Sequence, residues 1–194
     1  AVVVINPNNP TGAVYSRGCL TRLAALVDQH DLVVLSDEIY DQMVYEDTEF
    51  VPMATLCSSA LCATFSGLSK VYRACGYRVG WVAFSGAHDR SAEFINAMDL
   101  LAALRLCSNV PGQWAVQTAL GGYQSVKKLC SPGGRLYNSR QAVIDAVAAS
   151  PYLDVVTPMG SMYAFVGVNT DVLPEFDAQM AEQMPDMPVR WTEA

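Results

Sequence analysis

The sequence predicts an α/β protein, with a mostly parallel sheet between helices and the start of a small α+β domain after it. Three observations lead there. Val2 to Ile5 is an unbroken apolar, β-branched run, the pattern of a strand covered on both faces. Arg17 to His30 then sets Leu20, Leu23, Ala24 and Val27 at helical spacing, and Leu32 to Leu35 returns to an apolar run. Strand, helix and strand in so short a stretch form a βαβ unit, which brings its strands together in parallel.

The remaining elements follow in order. Asn6 to Gly12 is dense in turn formers, and Pro7 and Pro10 forbid regular pairing there. Leu61 to Phe65 reads as a third strand, leading into Ser66-Gly67-Leu68-Ser69-Lys70, and Val79 to Phe84 as a fourth. Ala87 to Leu106 and Gly112 to Leu129 read as helices. After the Ser131-Pro132-Gly133-Gly134 break, a long helix is expected over Arg135 to Ala149. Leu153 to Thr157 and Met162 to Val166 read as two strands around a Pro158-Met159-Gly160 turn. Beyond Asn169 the pattern is broken by Pro174, Pro185 and Pro188. The change of pattern near Gly133-Gly134 sets the expected boundary. Residues 1–133 are expected to be the C-terminal part of a large domain, and 134–194 a linking helix and the start of a small one, with 169–194 atypical.

Composition excludes several classes. With 52% hydrophobic and 16% charged residues, a disordered chain is ruled out. A net charge of −7, from 12 basic and 19 acidic side chains, argues against a nucleic-acid binder. No apolar run approaches the ~18–20 residues of a membrane span. The six cysteines, at 19, 57, 62, 75, 107 and 130, form no C-x-x-C pair and no metal-spaced cluster. Reduced thiols in a cytoplasmic protein are the simplest expectation. A strand pattern that starts at Ala1 reads as a chain cut from something longer.

In a parallel sheet, ligands collect beyond the carboxyl ends of the strands, where Asn9, Asp37 and Lys70 are expected. A carboxylate closing an apolar strand needs a cation or strong donors, unless Asp37 simply caps a helix. A lysine in a partly dry pocket can act as a Schiff-base nucleophile, although a lone Lys70 is more often a surface residue. Arg78 offers a planar fork suited to phosphate, or an ordinary surface ion pair. Tyr40 is either a hydrogen-bond donor to a ligand or an aromatic packed on the sheet.

Together these residues are far more specific than any one of them. Asn6-Pro7-Asn8-Asn9-Pro10-Thr11-Gly12, Ser36-Asp37-Glu38-Ile39-Tyr40-Asp41 and the Gly67 to Trp81 block with Ser69-Lys70 and Arg78 carry a resemblance. Leu104 to Pro111, Pro132 to Tyr137 and Gly160 to Phe165 extend it, over residues 1 to about 168. The sequence resembles the class I/II aminotransferases, and within them the bacterial alanine (glutamate–pyruvate) type. The resemblance implies the large domain of the pyridoxal-phosphate (PLP)-dependent transferase fold type I. It implies PLP as cofactor, an amino acid and a 2-oxo acid as substrates, and a homodimer in the complete protein.

The resemblance also assigns roles. Lys70 matches the Schiff-base lysine, Asp37 the partner of the pyridine nitrogen, and Tyr40 a donor to the cofactor's phenolic oxygen. Asn9 matches a second donor to that oxygen, close to the substrate carboxylate, and Arg78 the phosphate-binding arginine. Where many members carry Ser three residues before the lysine, this chain has Gly67. Either Ser66 or Ser69 is then left to meet the phosphate, with Ser66 preferred. Arg190 is the only arginine after Arg140, but it falls too soon after Tyr163 to match the family's substrate-carboxylate arginine. The implied activity is amino transfer, L-alanine and 2-oxoglutarate giving pyruvate and L-glutamate. A C–S lyase on the same fold and a non-catalytic aminotransferase-like domain are the alternatives.

Overall fold

A computed structural model describes residues 1–86 and 91–172, with positions 178 and 182. Four strands form the main sheet: β1 (Val2–Ile5), β2 (Val34–Asp37), β3 (Cys62–Gly67) and β4 (Gly80–Ser85), side by side in chain order. β1, β2 and β3 run parallel, with Ile5 opposite Asp37 and Asp37 opposite Phe65. β4 returns antiparallel, setting Gly67 against Gly80. The carboxyl ends of three strands and the start of the fourth therefore share one edge of the sheet.

Helix α1 (Arg17–Gln29) links β1 to β2. The Ser16 hydroxyl caps it by accepting from the Cys19 N–H, and Leu20, Ala24 and Val27 are the side chains it buries. They pack with Val4, Val34, Val51, Met53 and Cys62 into the first core cluster. Burial of a side chain such as Leu20 contributes about 2 kcal/mol. At the other end of the helix Asp28 accepts from the Ser58 and Ser59 hydroxyls and the Ala60 N–H, which ties α1 to the entry of β3.

The rest of the described chain is helical up to a small second sheet. Helices α2 (Ala92–Ala103), α3 (Val110–Gly121), α4 (Val126–Cys130) and α5 (Arg135–Ala148) precede the antiparallel pair β5 (Leu153–Val155) and β6 (Val166–Val168). Two expectations are corrected here. The helix expected over Gly112 to Leu129 is two helices, interrupted at Gly121-Gly122. There the Gln124 amide donates to the Ala119 and Gly122 carbonyls in place of helical N–H groups. The expected hairpin around Pro158-Met159-Gly160 is instead a long excursion between β5 and β6, and Met162 to Phe165 is not strand. That excursion, residues 156–165, is held on the main sheet's carboxyl edge. It acts there as a strap.

A second core cluster underlies that edge. Tyr40, Met43, Tyr45, Val71, Val126 and Cys130 form it, with Ile39, Tyr72, Leu136, Tyr137 and Tyr163 packed around them. The turns after β2 and β3 thus rest on α4, α5 and the strap. Among the described residues, no helix is long and apolar enough to cross a membrane.

Candidate active site

The βαβ connection and the antiparallel return of β4 bring all the sequence-predicted site residues to one end of the sheet. Asn9 stands exposed on the loop after β1. Asp37 is the last residue of β2, half-buried, and its Oδ1 accepts from the Ile39 N–H at 3.2 Å. That bond closes a turn, and no helix follows for Asp37 to cap. Ser66 lies near the end of β3 and Ser69 in the turn beyond it, both half-buried. Asp37 and Ser66 line one hollow on the open face of the sheet, with Val3, Leu35, Ile39 and Phe65.

Lys70 lies at the turn after β3, half-buried, with its amine 3.5 Å from the Tyr163 hydroxyl and 5.8 Å from the centroid of the Tyr40 ring. The Tyr40 and Tyr163 hydroxyls are 2.7 Å apart, and their rings meet edge to face with centroids 5.6 Å apart. Tyr40 is almost wholly buried. Burial pushes its phenol well above the usual tyrosine range, with further contributions from the Tyr163 hydrogen bond and the Asp37 carboxylate. The Tyr40 phenol thus lies beside Lys70 and feels the Asp37 carboxylate.

Arg78 is placed just before β4 with left-handed backbone, φ 52°. It is exposed, and its guanidinium donates to the Cys75 carbonyl at 2.8 Å, on its own turn rather than toward Ser66. Gly67 has a packing reason. A Cβ there would stand 2.8 Å from the Val79 carbonyl oxygen and 3.1 Å from the Gly80 Cα, so the tight β3–β4 crossing excludes a side chain. Arg190 lies outside the described residues.

Two acids of the Asp-Glu-Ile-Tyr-Asp run serve the scaffold. Glu38 is buried, and its Oε1 accepts from the Ser36 hydroxyl and the Met53 N–H, both at 2.9 Å. Burial raises its carboxyl above the usual range. Asp41 is pushed up to about 6, mainly by burial. Tyr163 was not singled out from sequence. Its only signal was membership of the Gly160-Ser161-Met162-Tyr163-Ala164-Phe165 block, where its phenol looks like any hairpin aromatic.

The strap that carries Tyr163 is bound to both neighbouring loops. Met159 and Gly160 N–H groups donate to the Gly12 carbonyl, and the Ser161 N–H donates to Met43. The Ser161 hydroxyl donates to the Asn8 carbonyl, and the Tyr45 hydroxyl to that of Ser161. Arg140, buried on α5, donates through Nε to the Pro158 carbonyl at 2.6 Å and through Nη1 to Glu46 at 3.1 Å. Its guanidinium carbon lies 5.2 Å from the centroid of the Tyr45 ring.

An amine beside two phenols, with a carboxylate at the end of the neighbouring strand, defines an α/β site built on strand carboxyl ends. The family model for aminotransferase class I and II matches residues 1–185, and the chain belongs to that family. Alanine aminotransferase of Mycobacterium tuberculosis (strain H37Rv) is 46% identical over 184 residues, 95% of this chain and 42% of the relative. Glutamate-pyruvate aminotransferase AlaA of Escherichia coli K12 is 45% identical over 164 residues, 84% of this chain and 40% of the relative. Among solved structures, an Escherichia coli aminotransferase superposes with a TM-score of 0.85 at 40% identity, over 93% of this chain and 46% of the other. The chain therefore spans less than half the length of these relatives.

Proposed function

We propose that the protein transfers an amino group from an amino acid to a 2-oxo acid with PLP, L-alanine and 2-oxoglutarate being converted to pyruvate and L-glutamate. What carries this reading is the placement of the Lys70 amine on the edge where Asp37 ends β2, within reach of the Tyr40–Tyr163 pair. The two relatives named for alanine and for glutamate–pyruvate support the choice of substrates.

The donor set fits the cofactor. PLP, when bound, supplies an electron sink for the charge that develops at the substrate's α carbon. Lys70 would hold the cofactor through its amine and, once the substrate's amino group has displaced it, would carry the proton from the substrate α carbon to the cofactor's C4′ carbon. Asp37 would keep a proton on the pyridine nitrogen, and Tyr40 and Asn9 would donate to the phenolic oxygen. Ser66 or Ser69, together with Arg78, would hold the phosphate, which requires the Arg78 guanidinium to leave the Cys75 carbonyl.

We also read residues 1–133 as part of the PLP-binding domain and 134–194 as the beginning of the small one. The homodimer belongs to this reading. Leu100 and Leu101 on α2, Leu104 just after it and Trp114 on α3 are 61–73% exposed, an apolar surface suited to a second copy. So does a cytoplasmic setting, which six free thiols suit.

The test is the half-reaction. PLP-loaded protein mixed with L-alanine alone should release one equivalent of pyruvate per bound cofactor. No pyruvate from L-alanine, together with continuous release of a thiol, ammonia and pyruvate from a β-thio amino acid such as L-cystathionine, would assign a lyase instead.

A further inference from the structure

Tyr163 sits between two groups whose proton needs oppose each other. A phenol has one proton to donate and lone pairs with which to accept. The Tyr163 oxygen is 3.5 Å from the Lys70 amine and 2.7 Å from the Tyr40 oxygen. With Lys70 charged, the ammonium donates to Tyr163, whose own proton must then go to Tyr40. The Tyr40 proton is left pointing away from Tyr163, free for another acceptor. With Lys70 neutral and accepting, the order reverses: Tyr163 donates to the amine, Tyr40 donates to Tyr163, and the outward lone pair of Tyr40 can only accept.

The three groups are held firmly enough for this ordering to matter. Tyr40 is buried in the cluster with Met43, Tyr45 and Val71. The strap is fastened just before Tyr163, by backbone bonds from Met159 and Gly160 to Gly12 and from Ser161 to Met43. Among the described interactions, the charged groups that act on Tyr40 are Lys70 and the Asp37 carboxylate.

We propose that Tyr163 is a positioning residue that couples the proton on Lys70 to the hydrogen-bond direction of Tyr40. It rests on the reading of Lys70 as the reacting amine. Through the Lys70–Tyr163–Tyr40 chain, loss of the charge on Lys70 turns Tyr40 from an outward donor into an outward acceptor. Any ligand oxygen seated against Tyr40 therefore senses the state of Lys70, although the Tyr40 hydroxyl makes no bond to the amine.

The experiment is competitive acylation of the cofactor-free protein with limiting acetic anhydride, read peptide by peptide by mass spectrometry. Lys70, Lys127 and Lys128 are the only lysines, and the last two are exposed internal standards. Tyr163→Phe should change the Lys70 rate by about fivefold relative to the standards, the scale of one hydrogen bond. Tyr40→Phe should also change it, and Tyr40→Phe should have no further effect once Tyr163 is Phe. Equal Lys70 rates in the parent and Tyr163→Phe, or additive effects of the two changes, would overturn the proposal. If Tyr163→Phe does not fold, Tyr40→Phe decides alone: an unchanged Lys70 rate overturns the coupling. The assay uses no cofactor, so failure to bind PLP would count against the proposed function and not against this chain of hydrogen bonds.

Discussion

Gly12 and Pro158 touch so closely that only glycine fits: a Cβ on Gly12 would lie 2.3 Å from the Pro158 Cβ and 2.6 Å from the Tyr163 carbonyl oxygen. Gly12 also has φ +72°, a conformation that costs L side chains about 1–2 kcal/mol. Together with overpacking, Gly12→Ala is expected to destabilise the protein by roughly 2–4 kcal/mol. Urea denaturation checks this, and an unchanged midpoint would show that the strap does not seat on the Asn6–Gly12 loop.

Arg140 fixes the other side of the strap. Replacing it by Met keeps much of the apolar stem but leaves the Pro158 carbonyl and Glu46 without their donor. Glu46 is about half exposed and can recover water, so the loss is expected to be about 2–3 kcal/mol rather than that of a fully buried pair. Arg140→Met should also lower PLP affinity by displacing Tyr163. Equilibrium unfolding and a PLP titration of the same variant measure the two effects.

Asp41 gives stability a dependence on acid. Its carboxyl is raised from 3.8 to about 6 in the folded protein, so the folded state binds the proton more tightly than the unfolded one. Below 3.8 both states are protonated and the group costs nothing; as pH rises through about 6 the burial penalty appears in full. Asp41→Asn is expected to raise the melting temperature at pH 7 and to leave it nearly unchanged at pH 4. Melting curves of both proteins across that range test the sign, and an equal shift at both pH values would mean that burial of the charge is not the cause.

Much of this was legible in the sequence, for reasons of period. Leu20, Ala24 and Val27 recur at helical spacing because one face of α1 must meet Val4 and Val34, and that face is the one buried. The polar residues that close apolar strands singled out Asp37 and Lys70, and both stand at the carboxyl edge of the sheet. Other features depend on contacts far apart in the chain. Pro158-Met159-Gly160 has the composition of a tight turn, and nothing local records that its amides are taken by Gly12. Tyr163 has the appearance of a hairpin aromatic until the strap sets it against Tyr40. Gly67 leaves no room for a side chain because of its closeness to Val79 and Gly80, a contact between strands.

Asp37 should matter for chemistry more than for folding. Asp37→Asn keeps the shape and the acceptor for the Ile39 N–H, but removes the charge to which the proposed function gives the protonation of the pyridine nitrogen. Turnover is expected to fall by orders of magnitude with PLP occupancy and unfolding midpoint little changed. Single-turnover rates at matched occupancy check it, and near-parental turnover would remove Asp37 from that role.

The most direct measurement is a PLP titration of the purified protein, followed by borohydride reduction and peptide mapping. A saturable near-visible band, a reduced adduct on Lys70 and loss of both in Lys70→Ala are the expected results. A band that survives Lys70→Ala, an adduct confined to Lys127 or Lys128, or no saturable band at all would contradict the assignment of Lys70 as the cofactor-bearing residue.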